Sequence, residues 1–475
     1  MERKRVVIVG GGFAGLTAAK RVADAGHEVV VLEKREVLGG KWSSWKNEQG
    51  DWIESGLHVF FGAYQEIYDL MRELGTYENI LWKEHVLTYT LAQGERFEFR
   101  TMNAPSPMHL LPAVFKNHYF TWPEKLTLTK ALLPILFGSE DYFARCDELS
   151  YQQWHRNWGI ADRMLSKMFL PMTLALKFLP PEEISARVVL DVAGLFLRQN
   201  HASRMGFLNG SPEEQFTRPL VRHLEKRGGT VRSGARVTRV HTGPGRRVAA
   251  VELRDGEMVR GDEFIFALPI HKLNELVPRE WLDEPYFRNL QQFEGVPVIS
   301  VKLWLDRQVS HMDNVLFNPD GIIPVYADMG NTTPHYYDGG RSRFQFVVAP
   351  ARGLMHLSDE EIRERVWADV CSTFPATAPG AKITKFSIVR IPQSVYWPKP
   401  GLDALRPTQA SPIPNLSLAG GYTRQQFYDS MEGAVRSGNR AAAATLARLD
   451  GHSVKVSPTP RHGWLPQPSV GAESA

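Results

Sequence analysis

Residues 5–9, RVVIV, are an unbroken β-branched apolar run, the pattern of a strand buried on both faces. GGGFAG follows directly, then LTAAKRVADAG, which has helical composition and which Gly26 closes. EVVVLE, residues 28–33, repeats the buried-strand pattern and ends on Glu33. Strand, glycine turn, helix and strand in this order predict a βαβ unit. Its glycines keep GxGxxG spacing, and each has a physical task. Gly10 permits the tight turn, Gly12 lets the backbone approach a pyrophosphate, and Gly15 lets helix and strand pack closely. The helix N-terminus then faces the phosphates, and Glu33 is placed to accept from a ribose hydroxyl. This is a dinucleotide site.

Further along, SPEEQFTRPLVRHLEKRGG reads as a helix, followed by strands in TVRSGARVTRVHT, RRVAAVELRDG and EMVRGDEFIFALP. Residues 101–205 are mostly helical in pattern and 269–404 are strand-rich. LSLAGG is a short strand that runs into Gly420 and Gly421, and an Ala-rich helix extends from near Ser430 to about Leu449. The tail, 451–475, is rich in Pro, Ser and Gly without periodicity and is expected to be disordered. The apolar stretches are cut by Lys130, by Lys177 and by Arg187 with Asp191, so none reaches the about 20 clean residues of a membrane span.

At 475 residues the chain exceeds what one core holds, which implies two domains. With 43% apolar and 23% charged residues it is neither disordered, collagen-like nor a polytopic membrane protein. A net charge of +4 from scattered Lys and Arg does not point to nucleic acid. Cys146 and Cys371 stand far apart with no CxxC, so neither a disulfide framework nor a metal site is expected. Two such cysteines, and a first strand that starts within ten residues of Met1, suggest a cytoplasmic protein with no leader.

KREVLGGKW places the doublet Gly39-Gly40 and Lys41 just after the second strand, where a larger dinucleotide needs another close backbone approach. From here the chain resembles the flavin-containing amine oxidase and carotenoid desaturase superfamily. The likeness sharpens in WIESGLHVFFGAY, LWKEH, FTWPEKL, ALKFLPPEEIS, GFLNGSPEEQFTRPLV, GVPVISVKLWLDR, VYADM and LAGGYTRQQFYDSMEGAVRSG. In order, and from about residue 5 to 450, these are similar to the plant and cyanobacterial type of phytoene desaturase. The sister ζ-carotene desaturases share GLHVFFG and SMEGA.

The resemblance implies an α/β fold: a discontinuous Rossmann-like FAD-binding domain (1–100, 206–268 and 405–450) with a mixed α+β substrate domain (101–205 and 269–404). It implies FAD contacts from Gly10, Gly12, Phe13, Ala14, Gly15, Glu33, Lys34, Gly39, Gly40 and Lys41, the last near the phosphates. Gly56, Leu57 and His58 become a backbone wall beside the flavin. Val237 presents backbone to the adenine, or is an ordinary strand residue. Gly420, Gly421 and Met431 lie on the ribityl and pyrimidine side. Two departures stand out: Gly421 where relatives often carry Asp, and Leu195 where plant enzymes carry an arginine near the quinone pocket.

The implied reaction removes hydrogen from a phytoene-like isoprenoid, with electrons passed to a quinone. A hydride leaves to the flavin and a proton from the neighbouring carbon. No nucleophile is needed and no base is demanded by the sequence; the reduced flavin itself, or a carboxylate such as Glu432, is the candidate acceptor for the proton. Met108–Phe137, with Leu, Phe, Tyr, Trp and isolated Lys116, Lys125 and Lys130 expected to snorkel, reads as an interfacial segment at the membrane surface, the alternative being a buried helix pair under a loop. Alternatives are another flavin oxidoreductase of a long isoprenoid (a ζ-carotene desaturase or a carotene isomerase), a flavin amine oxidase, and a non-catalytic flavin-binding protein.

Overall fold

The computed structural model describes residues 2–452. Strand Arg5–Val9, helix Phe13–Asp24 and strand Glu28–Leu32 form as the pattern predicts. Val6–Val9 and Val29–Leu32 are at most 3% exposed, so both faces are covered and the sequence has no reason to alternate. They sit inside a five-stranded sheet ordered Thr230–Arg232, Glu28–Leu32, Arg5–Val9, Glu263–Phe266, Leu416–Leu418. Every pairing in it is parallel, and its strands come from three distant stretches of chain. The helix Met431–Leu449, N-capped by the Ser430 hydroxyl accepting from Gly433 N–H, lies against Phe13–Asp24 on one face.

Two runs read as single strands are each divided. TVRSGARVTRVHT gives Thr230–Arg232 to the parallel sheet, then turns at Gly234 (φ +68°) into Val237–Thr242. That strand pairs antiparallel with Val248–Leu253, which pairs with Met258–Arg260. EMVRGDEFIFALP splits the same way, into Met258–Arg260 and Glu263–Phe266.

A seven-stranded sheet forms the second layer, ordered Ile383–Tyr396, Gly295–Leu305, Arg343–Val348, Val325–Asp328, Leu316–Phe317, Val86–Thr90, Arg96–Arg100. Here the expected boundary near residue 100 is corrected, because the hairpin 86–100 belongs to this sheet. Tyr89 pairs with Phe97 on one side and Phe317 on the other, with ring centroids 4.5 and 5.3 Å away, and is fully buried between them. The two-residue period of Gly295–Leu305 serves two purposes. Ile299, Val301 and Leu303 pack in a core with Ile362, Val366 and Val370 of helix Asp359–Thr373, while Val298 and Ser300 line a cavity on the opposite face.

Residues 101–205 are mainly helical. Helix Trp122–Phe137 starts from a Thr121/Glu124 capping box and packs on helix Ala186–Arg198. Lys125, expected to snorkel, is buried: its ammonium donates to the Asn117 carbonyl and lies 4.6 Å from the Trp122 ring. Lys116 and Lys130 are exposed. Among the described residues no helix is long and apolar enough to cross a membrane. From residue 453 onward, the tail expected to be disordered lies outside the described residues.

Candidate active site

A cavity of about 1410 Å³ lies between the two large sheets and the helices of 140–199. Typical small-molecule sites are roughly 300–1,000 Å³, so this one has room for more than a single ligand. Its lining changes character from one end to the other. At one end are glycine turns and charged groups; at the other are Phe169, Met172, Val192, Leu195, Phe196 and Phe317.

The glycine end is built by the βαβ turn. A Cβ on Gly15 would stand 2.0 Å from the Gly10 carbonyl oxygen, so the helix can lie this close to the turn only without a side chain there. Gly15 therefore sits behind the cavity wall. Gly10, Gly12, Phe13, Ala14, Glu33, Lys34, Gly39, Gly40, Lys41, Gly56, Leu57, His58, Val237, Gly420, Gly421 and Met431 all line it. Gly39 N–H donates to the Gly11 carbonyl at 2.9 Å, which draws the second glycine turn onto the first. Glu33, 7% exposed, accepts from the Gly11 and Arg35 amides at 2.8 and 3.0 Å and keeps lone pairs for a ligand in the cavity. Bare backbone beside a fixed carboxylate suits the phosphates and ribose of a dinucleotide.

Lys41 is not a free cation for those phosphates. Its ammonium donates to both oxygens of Asp429, at 2.9 and 3.1 Å, and Asp429 Oδ2 also accepts from Tyr396 N–H at 2.7 Å. Burial alone would raise the Asp429 carboxyl, but Lys41 and Lys177 outweigh it and hold it below the usual range. Lys177 is wholly buried and donates to the Tyr428 carbonyl at 2.8 Å. Burial pulls its ammonium down to about 7 against the attraction of Asp429. His58 is lowered to about 4, also by burial, so it is neutral in the cavity wall at neutral pH.

Glu432 is corrected as a proton acceptor. It is fully buried and does not line the cavity. Its carboxylate accepts from the Glu66 and Ile67 amides at 3.1 and 2.9 Å and from Arg436 Nε at 2.6 Å, so it caps helix Glu66–Glu73. Another carboxylate does face the cavity. Asp191, on helix Ala186–Arg198, accepts from the Tyr428 hydroxyl and lies 3.6 Å from Arg187 Nε. Burial pushes it up to about 6 against the pull of Arg187 and Tyr428.

Sequence reasoning used Lys177, Arg187 and Asp191 only to exclude a membrane span. The same interruptions were the available signal: charge inside an apolar helix needs a partner or a task. Leu195 lines the cavity one turn beyond Asp191. Among the described residues no group of acidic, His and Cys side chains could hold a metal.

The family model described as "Flavin containing amine oxidoreductase" matches residues 13–446. The 15-cis-phytoene desaturase of Solanum lycopersicum is 40% identical over 451 residues, covering 93% of this chain and 77% of the relative. That of Synechococcus elongatus is 39% identical over 457 residues, covering 94% and 96%. A probable zeta-carotene desaturase of the same organism is 35% identical over 475 residues, covering 93% and 98%. Among solved structures, a putrescine oxidase bound to putrescine superposes with TM-score 0.71 at 18% identity over 94% of this chain and all of that one. An oxidoreductase of Methanosarcina mazei gives 0.69 at 16%, over 91% and 98%. These two likenesses concern the fold.

Proposed function

The chain belongs to the flavin-containing amine oxidoreductases and, within them, to the carotenoid desaturases, and from that premise we propose that it dehydrogenates phytoene toward ζ-carotene with FAD as its cofactor. The carrying observation is one continuous cavity whose glycine-lined end suits a dinucleotide and whose other end is apolar enough for a long hydrocarbon.

In this reading Glu33 accepts from the adenosine ribose, and the Gly10–Gly12 turn and the N-terminus of Phe13–Asp24 hold the pyrophosphate. The Val237 backbone lies by the adenine, and Lys41, Gly420, Gly421 and Met431 surround the flavin side. When bound, the flavin supplies the two-electron acceptor that breaking an allylic C–H bond requires. The protein's part is alignment and exclusion of water. The sheet face of Val298, Val315, Phe317 and Val325 and the helix face of Val192, Leu195 and Phe196 confine the chain of the substrate, so that one bond at a time meets the ring.

A quinone is the proposed final electron acceptor, with Leu195 in the wall of its pocket. Peripheral contact with a membrane is proposed from the surface. Leu111, Phe115, Trp122, Leu126, Leu133 and Phe137 are 47–78% exposed. The last four recur at helical spacing along one outward face of Trp122–Phe137, with exposed Lys130 beside them. Water does not favour such a stripe, whereas a bilayer surface does.

The test is pigment analysis in bacterial cells engineered to accumulate phytoene and expressing this chain. Conversion to a longer chromophore supports the reading, and the absorption band counts the new double bonds. Unchanged phytoene beside flavin-loaded protein and added quinone overturns it.

A further inference from the structure

Resting on the desaturase reading, we propose that Asp191, held by the Tyr428 hydroxyl, is the base that takes the proton leaving the substrate. Removing two hydrogens across a carbon–carbon bond breaks two C–H bonds. One hydrogen departs with its electron pair as hydride, for which the bound flavin is the acceptor. The other departs as a proton, and its electron pair becomes the new double bond. That proton needs a resting place in a cavity lined largely by apolar side chains. Glu432 is not it, because its carboxylate faces a helix end behind the wall.

Three observations place the role at Asp191. The first is register. Arg187, Asp191 and Leu195 recur every four residues along one stripe of Ala186–Arg198, and all three line the cavity, so the carboxylate faces it between a guanidinium and an apolar side chain. The second is position. The hydroxyl that donates to Asp191 belongs to Tyr428, and Phe427, Tyr428, Asp429, Ser430 and Met431 form one continuous stretch of the same wall. This is the segment that carries the glycine end of the cavity onto helix Met431–Leu449, so Asp191 stands where the two ends meet.

The third is charge. Arg187 and Arg198 of the same helix face Asp191, and Arg187 also pairs with Glu140 of Glu140–Cys146 and with Asp403, at 3.3 Å. Asp403 also pairs with Arg406 at 3.2 Å, and its backbone N–H donates to Asp147 Oδ2 at 3.0 Å, so a fourth carboxylate adjoins the cluster. Glu140, Asp147, Asp191 and Asp403 outnumber the guanidiniums of Arg187, Arg198 and Arg406. Excess negative charge out of water favours uptake of a proton. Among these carboxylates Asp191 and Glu140 line the cavity, and only Asp191 carries the Tyr428 bond.

The experiment is anaerobic single-turnover bleaching of the FAD-loaded enzyme by phytoene in phosphatidylcholine vesicles, across pH, for wild type, Asp191→Asn and Tyr428→Phe. Flavin content is measured for each. Wild-type bleaching is expected to accelerate as pH rises through the Asp191 titration near 6. Asp191→Asn, nearly isosteric, is expected to keep its flavin, bleach about 100-fold more slowly and lose that pH dependence. Tyr428→Phe removes a bond that favours the carboxylate, so the rise should move to higher pH. A role confined to packing would not move the profile in that direction.

A second readout does not depend on turnover. Infrared titration of the loaded enzyme should show protonated-carboxyl absorption growing as pH falls through the same range, and the wild-type minus Asp191→Asn difference should isolate one carboxyl from that of Asp328, which burial also raises to about 6. Wild-type rate and pH profile in a flavin-loaded Asp191→Asn enzyme overturn the proposal while leaving the desaturase reading intact. Absence of any bleaching in wild type overturns both.

Discussion

Gly421 has no room for a side chain, since a Cβ there would stand 2.1 Å from Asp429 Oδ1. The space an acid at 421 would need is filled from 429, by a residue in the left-handed region (φ +44°) whose carboxylate grips Lys41. Gly421→Asp alone should therefore unseat this corner and lower flavin occupancy, at an overpacking cost of about 1–3 kcal/mol. Asp429→Ala should not restore the flavin lost, since the Asp429 Cα itself would lie 2.4 Å from that Cβ, as flavin fluorescence after dialysis would show. Glu33→Ala removes a charged acceptor for the ribose and should weaken FAD binding about tenfold to a hundredfold by titration calorimetry. Lys177 gives a pH prediction. Its ammonium is at about 7 in the fold against 10.5 unfolded, so between those values the unfolded chain binds more protons. Unfolding free energy should thus gain from this group as pH rises from about 7 to 10.5, and lack that gain below. Lys177→Met should remove that increment from denaturant-unfolding curves taken across the range.

At the scale of elements, periodicity was informative where one face is covered and the other wet, or where both are covered. The buried run RVVIV and the Ala-rich helix after Ser430 could be read directly. What the pattern did not show was where one apolar run is cut between two sheets. TVRSGARVTRVHT keeps strand composition throughout, and only the change of partner at Gly234 divides it. The hairpin 86–100 likewise has nothing local to say which sheet it joins; Tyr89 decides by stacking on Phe317, more than 200 positions away. Helix Trp122–Phe137 carries the prediction for this scale. Leu133→Glu with Phe137→Glu places two charges on its exposed apolar face, so co-sedimentation with lipid vesicles should fall severalfold while flavin content stays unchanged. Helix Ala186–Arg198 carries another. Leu195→Arg puts a fixed cation into the cavity wall and should change the quinone KM in steady-state assays.

For the whole molecule, the central fact is that one cavity is walled by segments from residue 9 to residue 440. The sequence alone determined the dinucleotide turn, the buried strands and the family resemblance, because these rest on short-range spacing: glycines where backbone must approach backbone, and apolar runs where both faces are covered. It also singled out Met108–Phe137 by its mix of aromatic residues and isolated lysines, but that Trp122, Leu126, Leu133 and Phe137 face outward was decided by the fold. Only the tertiary structure decided which charges meet. Lys41 finds Asp429 across 388 positions, Asp191 finds Tyr428 across 237, and Glu432 turns from the cavity to cap a helix begun at Glu66. A carboxylate's partner, and with it the proton it can hold, depends on distance and burial in the folded chain, and neither is encoded in local spacing.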